Sequence, residues 1–216
     1  MSLEEQKEIE PVTPLNIVLL PDEETSKAAI ELSTSIVGVV ETYFKLDTKN
    51  KRTHLTLYQS PFPDRNIPVL LDTLKAISER TDQLEISLQK LTVEFGTFVF
   101  WTANTTPELA NLHKTVVTQT NSLREGHIPA HLASVPLEPA DAEDVQNYGL
   151  PMVLGRYWPH LTLTRIKNPE EAEKVSHAVG EEKLATFKVK SISICKLGDN
   201  GTISDTLAGF PLGTPV

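Results

Sequence analysis

Two histidines and two threonines stand in one repeated pattern, His54-Leu55-Thr56-Leu57 and His160-Leu161-Thr162-Leu163. In a strand, alternate side chains point to opposite faces. Each copy therefore sends an imidazole and a hydroxyl one way and two leucines the other. Brought together across a cleft, two such strands supply an acid, a base and two hydroxyl donors. Histidine ordinarily titrates near neutrality, so one ring of a pair can be neutral while the other is protonated. The neutral ring takes a proton from water or a hydroxyl, and the protonated ring gives one to a leaving oxygen. Thr56 and Thr162 donate to the nonbridging oxygens of a phosphate, where charge sits in the transition state. This is acid–base chemistry on a phosphate ester. His54, His160, Thr56 and Thr162 are its expected catalytic groups, and no metal or other cofactor is expected.

The rest of the chain reads as scaffold for these four side chains. Leu15 to Leu20 is a short branched apolar run, expected to form a buried strand, and residues 1–13 before it are expected to form a loose arm. Asp22 to Val40 has helical spacing, and Tyr43 to Leu46 reads as a short strand. The first motif strand is expected to stop at Pro61 and Pro63. Leu70, Leu71, Leu74 and Ile77 form the stripe of a second helix. Leu91 to Phe95 and Phe98 to Trp101 alternate around Gly96 as a hairpin or bulged pair. Thr106 and Pro107 are the cap and first residue of a third helix. Residues 126–152, with four prolines, read as a loop insertion holding a short helix near Asp141 to Tyr148. After the second motif, Asn168 caps another helix. Phe187 to Ile194 forms closing strands, and Gly198 to Gly201 makes a tight turn.

Each motif strand is followed by a Pro-punctuated loop and a helix, a weak internal duplication. It predicts an α+β fold with a bilobal pseudo-twofold arrangement of two antiparallel sheets, flanking helices and an active-site cleft between the lobes. Residues 14–216 then form one bilobal domain.

Composition narrows the function. A net charge of −9 weighs against a stable complex with long nucleic acid, which needs many Lys and Arg against phosphates. A small nucleotide or an RNA terminus needs only local positive charge. Lys49, Lys51 and Arg52 lead into His54, and Arg156, Arg165 and Lys167 flank His160. The first apolar run is too short to span a membrane and the residues before it are acidic, so no membrane association is expected and a cytoplasmic location is. Cys195 is the only cysteine, which excludes an internal disulfide.

Strand parity puts Tyr58 on the face of His54 and Trp158 on the face of His160, where either ring could stack on a base. Packing at a strand end or core edge is the plainer role for both. Arg52, Arg165 and Phe62 complete the expected substrate-binding set. Arg165 carries the parity of the leucines and reaches the cleft only if the strand ends before it. Pro129 between His127 and His131 argues against a helical metal pair. His113 reads as a core-edge residue and His177 as exposed.

These motifs resemble those of the 2H phosphoesterase superfamily, and within it the group around the bacterial 2′-5′ RNA ligase. That family carries two His-x-Thr/Ser-x motifs, one in each half of the chain. The second motif matches more closely, with Pro159 before it and Thr164-Arg165-Ile166 after it. The segments LNIVLLPDEETSKAAIELS, TFVFWTANTTPELANLHKTV and KVKSISICKLGDNGTISD resemble the family's opening strand and helix, its middle strand and helix, and its closing hairpin. Together they cover most of residues 14–206. The resemblance implies cleavage or formation of a phosphodiester involving a ribose 2′-oxygen, often a 2′,3′-cyclic phosphate, and so a phosphodiesterase with possible ligase activity. Residues 47–53, Gln59 to Phe62 and 126–152 match no part of the pattern, and those segments would shape the substrate. Two other classes stand beside this one: a catalytically silent nucleotide-binding module, against which the four intact His and Thr argue, and a metal-dependent hydrolase. Turnover separates the first from the enzyme, and activity with a chelator separates the second.

Overall fold

The computed structural model describes residues 10–133, 136–180 and 182–213. The strands are β1 (Val12–Leu19), β2 (Leu55–Pro63), β3 (Leu84–Glu94), β4 (Phe98–Ala103), β5 (His160–Arg165), β6 (Glu182–Val189), β7 (Ser191–Leu197) and β8 (Ile203–Pro211). The helices are α1 (Glu23–Val37), α2 (Ile67–Ser78), α3 (Pro107–Thr120), α4 (Ala130–Ala133), α5 (Pro139–Tyr148) and α6 (Ala172–Val179). All strand pairs are antiparallel, in the order β6-β3-β4-β5-β2-β1-β7-β8.

The two expected sheets are the two four-stranded halves of this sheet. They meet at β2 and β5, which share one ladder pair, Leu55 with Leu161. Both leucines are fully buried. Their burial stabilises the junction by roughly 1.5–3 kcal/mol per side chain, and it turns His54, Thr56, His160 and Thr162 to the opposite face. The lobes are not the two halves of the chain. One uses β1 and β2 from its start and β7 and β8 from its end; the other uses β3 to β6. A pseudo-twofold still relates β1-α1-β2 to β4-α3-β5, and the helices cross it: α1 packs on β5 and α3 on β2.

Local chemistry starts these helices where the residues indicate. Asp22 caps α1 by accepting the Thr25 N–H at 2.9 Å. Thr106 caps α3 by accepting from Leu109 at 3.2 Å, with Pro107 at the first position. Asn168 accepts the Glu170 N–H at 3.1 Å and opens a 3₁₀ turn that runs into α6.

Four expectations change. A loose arm does not reach residue 13, because Val12 pairs with Pro63 and Thr13 with Phe62 between β1 and β2; residues 1–9, where the rest of the expected arm falls, lie outside the described residues. Strand β2 runs through both prolines, since beyond Leu55 its far edge carries no ladder pair and a missing N–H costs little there. Tyr43 to Leu46 is not a strand; a single bridge, Thr42 to Ile166, lies beside it. The tail after the Gly198–Gly201 turn forms β8, paired with β7. No helix among the described residues is long and apolar enough to cross a membrane.

Candidate active site

The junction of the two lobes is where the repeated motif meets itself. Stepping one residue either way from the Leu55–Leu161 pair sets His54 opposite Thr162 and Thr56 opposite His160. Each histidine is thus beside the other strand's hydroxyl, and the four side chains form a quartet about the pseudo-twofold.

The rings are held alike. His54 Nδ1 lies 2.8 Å from the Arg52 carbonyl and His160 Nδ1 lies 2.8 Å from the Trp158 carbonyl. A carbonyl can only accept, so in both rings Nδ1 carries the hydrogen and Nε2 is left to exchange a proton. Burial lowers both pKa values below that of an ordinary histidine. For His54 the backbones of Arg52 and Gly201 oppose this, while the Arg52 charge reinforces it. His160 is pushed down to about 4, mainly by burial and further by His54, with the Trp158 carbonyl opposing. The His160 ring stacks on Phe100, centroids 3.8 Å apart.

The threonines differ. Asn16, fully buried on β1, donates from Nδ2 to Thr56 Oγ1 at 3.0 Å. The Thr56 hydroxyl accepts that bond and keeps its own hydrogen for a ligand. Beside Thr162, the β4 neighbour is Phe100.

A bulge closes each motif at its second leucine. Strand β1 pairs Ile17 with Tyr58 but Val18 with Thr56, leaving Leu57 over. Strand β4 pairs Val99 with Thr164 but Phe100 with Thr162, leaving Leu163 over. An extra residue inverts the strand's alternation. Tyr58 therefore does not share the face of His54: it is fully buried, and its hydroxyl donates to the Tyr148 carbonyl at 2.6 Å with Asn121 Oδ1 2.9 Å away. Phe62, also fully buried, packs on Tyr58 in a T-shaped pair 6.3 Å apart. Neither lines the cleft. The same inversion buries Thr164 and turns Arg165 to the face of His160 without ending the strand.

Charge separates the basic candidates. Arg156 forms ion pairs with Asp141 and Asp144, and Lys167 pairs with Glu41 at 3.4 Å. Among the described residues no carboxylate pairs with Arg52 or Arg165. Arg52 donates to Thr206 at 2.7 Å, and Arg165 donates to Asn200 at 3.0 Å. Arg52 acts on His54 through its charge, and Arg165 lies over the Phe98 ring at 4.8 Å on the other lobe. Trp158 is half-buried, edge-on to Phe100 at 5.9 Å.

The insertion at 126–152 docks on the helix-covered face. Buried Arg124 donates to Asn121 and to the carbonyls of His127 and Gln146, next to the Tyr58 hydroxyl. Its α5 helix is the expected short one, and Asp144 accepts from the backbone of Met152 and Val153. Ser134 and Val135 lie outside the described residues.

Sequence reasoning missed a brace behind the quartet. His113, at 1% exposure, donates from Nδ1 to the Leu57 carbonyl at 2.7 Å and accepts the Leu154 N–H on Nε2 at 2.8 Å. It stacks on Tyr157, centroids 3.8 Å apart, whose hydroxyl donates to the Thr56 carbonyl at 2.9 Å. Two carbonyls of the first motif are thereby tied to the segment that leads into the second. Because the two strands share one ladder pair, this brace helps set their spacing. Tyr157→Phe keeps the stack and removes only the hydroxyl. We expect it to lower kcat on a phosphodiester about 10- to 100-fold with KM changed less than about threefold, since small misplacements of catalytic groups are costly. Unchanged kcat with a lowered Tm would reduce the bond to packing.

Asn16 carried a signal, being a lone amide within the apolar run Leu15 to Leu20. The stacking of Phe100 did not, because it depends on which strand lies beside β5. Among the described residues no three His, Cys, Asp or Glu side chains gather as a metal site.

A sequence profile of the 2′-5′ RNA ligase superfamily matches residues 26–201. Among solved structures, TT0787 of Thermus thermophilus matches with a TM-score of 0.61 and 16% identity, over 94% of this chain and 100% of that one. Escherichia coli LigT in its apo form matches with a TM-score of 0.54 and 12% identity, over 94% and 99% of the two chains. The same protein complexed with 3′-AMP matches with a TM-score of 0.53 and 12% identity, over 94% and 100%. These likenesses concern the fold. No curated protein matches the sequence.

Proposed function

Since the chain belongs to the 2′-5′ RNA ligase superfamily of 2H phosphoesterases, we propose that it is a metal-independent phosphodiesterase acting on 2′,3′-cyclic phosphate or 2′-5′ phosphodiester linkages. Its substrates are RNA ends or small nucleotides. The observation that carries this reading is the quartet: two His–Thr pairs on one face, centred on the Leu55–Leu161 pair, with both imidazoles fixed through Nδ1.

The neutral ring takes a proton from water at Nε2 as the water oxygen attacks phosphorus. The bond from phosphorus to one ribose oxygen breaks, and the protonated ring gives that oxygen its hydrogen. The histidines exchange roles in the course of the step, so the pair returns to its starting state through solvent. When the neighbouring ribose 3′-hydroxyl attacks the phosphorus of a 2′-5′ linkage in place of water, the 5′-oxygen leaves with the proton of the protonated ring and a 2′,3′-cyclic phosphate remains; in reverse, a 5′-hydroxyl attacks the cyclic phosphate, the 3′-oxygen leaves protonated, and a 2′-5′ linkage forms. Direction of reaction thus sets which ring is acid and which is base. Thr56, with its hydrogen kept free by Asn16, and Thr162 hold the nonbridging oxygens. Arg52 and Arg165 draw the anion into a chain whose net charge is −9. On the lobe of His160, Trp158 has its ring 5.9 Å from that imidazole and supplies an aromatic surface for the nucleoside. Binding of 3′-AMP by LigT supports a nucleotide ligand for this fold.

The test is a panel of 2′,3′-cyclic nucleotides, 2′-5′-linked dinucleotides and RNA ending in a cyclic phosphate, assayed with EDTA present. We expect turnover of at least one class at an undiminished rate in chelator. Activity lost with EDTA and restored by a divalent cation overturns the metal-independent mechanism; tight binding without turnover makes the protein a nucleotide-binding module.

A further inference from the structure

The β3–β4 turn carries a residue that folding alone does not favour. The Glu94 carbonyl accepts the Thr97 N–H at 3.0 Å, and the two residues between, Phe95 and Gly96, have φ of 50° and 72°. Positive φ at both central positions is the type I′ hairpin turn, which prefers Asn-Gly or Gly-Gly. A bulky side chain at the first position is a true outlier. Phe95 is also 65% exposed, so the turn gains little from burying it. Strain held together with exposed apolar surface points to a ligand contact.

What surrounds Phe95 supplies the ligand's chemistry. Its ring meets Phe100 edge-on at 6.3 Å, and Phe98 lies 5.8 Å from Phe100. Phe100 is the ring stacked on His160. The Arg165 guanidinium sits 4.8 Å over Phe98 and 5.1 Å over Tyr43, which is 53% exposed. A ledge of aromatic rings with a cation in it runs outward from the reaction centre. Aromatic rings beside Arg are the surface on which unpaired bases stack while the backbone is held by charge.

We propose that this ledge binds the base of a second nucleotide, adjoining the one that carries the reacting phosphate, so that the preferred substrate is a single-stranded oligonucleotide end rather than a mononucleotide. The inference rests on the phosphodiesterase reading above and selects among its substrates. A duplex does not fit, because its bases are already stacked on one another. Long nucleic acid is disfavoured by the net charge of −9.

The test substitutes Phe95→Asn, which suits the turn and removes the ring, in the full chain. KM is measured for a mononucleoside 2′,3′-cyclic phosphate and for a trinucleotide ending in the same group. Affinity for a fluorescent trinucleotide ending in a 3′-phosphate is measured by anisotropy. We expect wild-type protein to prefer the trinucleotide. The variant should raise the trinucleotide-to-mononucleotide KM ratio about tenfold and weaken trinucleotide binding to match, as loss of one stacking partner does. Its Tm should rise by about 2–4 °C as the strain is relieved, and Phe95→Trp should retain the preference. An unchanged KM ratio and unchanged anisotropy overturn the ledge. Absence of turnover in wild type for both substrates and for a 2′-5′-linked dinucleotide overturns the phosphodiesterase reading instead, and the anisotropy comparison then decides the ledge by itself.

Discussion

His54→Ala and His160→Ala each lower kcat by about 10²- to 10⁴-fold on whichever phosphodiester the protein turns over, the range for removing one general acid or base. Each ring holds one end of a proton transfer, and the neighbouring hydroxyl cannot replace it, since threonine does not titrate near neutrality. The double variant falls little further than either single one, because two groups that act as a unit are not additive. Folding survives. Each imidazole is tied through Nδ1 to the carbonyl two residues before it, and neither belongs to the leucine face that joins the lobes. Circular dichroism and Tm check this alongside the kinetics. Retention of more than a tenth of the activity by either variant would remove that ring from the mechanism.

The pH profile carries the second large effect. The reactive form has one proton shared between two coupled rings. Burial holds both below the ordinary histidine value of 6.5, His160 at about 4. For a histidine with lowered pKa, the proton is lost earlier as pH rises. The kcat/KM profile, which reports the free protein, therefore peaks on the acid side of 6.5. Above its upper pKa it falls about tenfold per unit, roughly 100-fold between pH 6.5 and 8.5. A bound phosphate anion favours the charged ring, so the alkaline limb of kcat lies at higher pH than that of kcat/KM. The acid limb needs a folding control. His113 is buried neutral with a pKa of about 4. The unfolded chain binds its proton from about pH 6.5 downward, so roughly 3 kcal/mol of stability present above 6.5 is lost as pH falls toward 4. A kcat/KM profile flat from pH 5 to 9 is incompatible with the two-histidine mechanism.

Much of the scaffold was legible because it rests on local chemistry. Asp22, Thr106 and Asn168 cap the turns that follow them through hydrogen bonds two or three residues away. The leucines of both motifs face the core as their alternation requires. Strand β8 was not legible, since the exposure pattern of an edge strand carries little period-two signal. The bilobal plan was visible as two similar strand–helix surroundings, but not that the chain's ends build one lobe and its middle the other.

The four side chains of the quartet, and the face each shares with its partner, follow from the residues alone. His and Thr two apart on a strand must point the same way, and the leucines between them must point to the core. What surrounds the quartet was decided by pairing between distant segments. The bulges at Leu57 and Leu163 arise only where β1 and β4 register against β2 and β5, and they take Tyr58 and Phe62 from the cleft and turn Arg165 toward it. Likewise, Arg156 and Lys167 meet carboxylates that the fold brings to them, while Arg52 and Arg165 meet none among the described residues. Alternation is a property of one strand's backbone. Register and charge pairing belong to two segments at once, and only the folded chain puts those segments side by side.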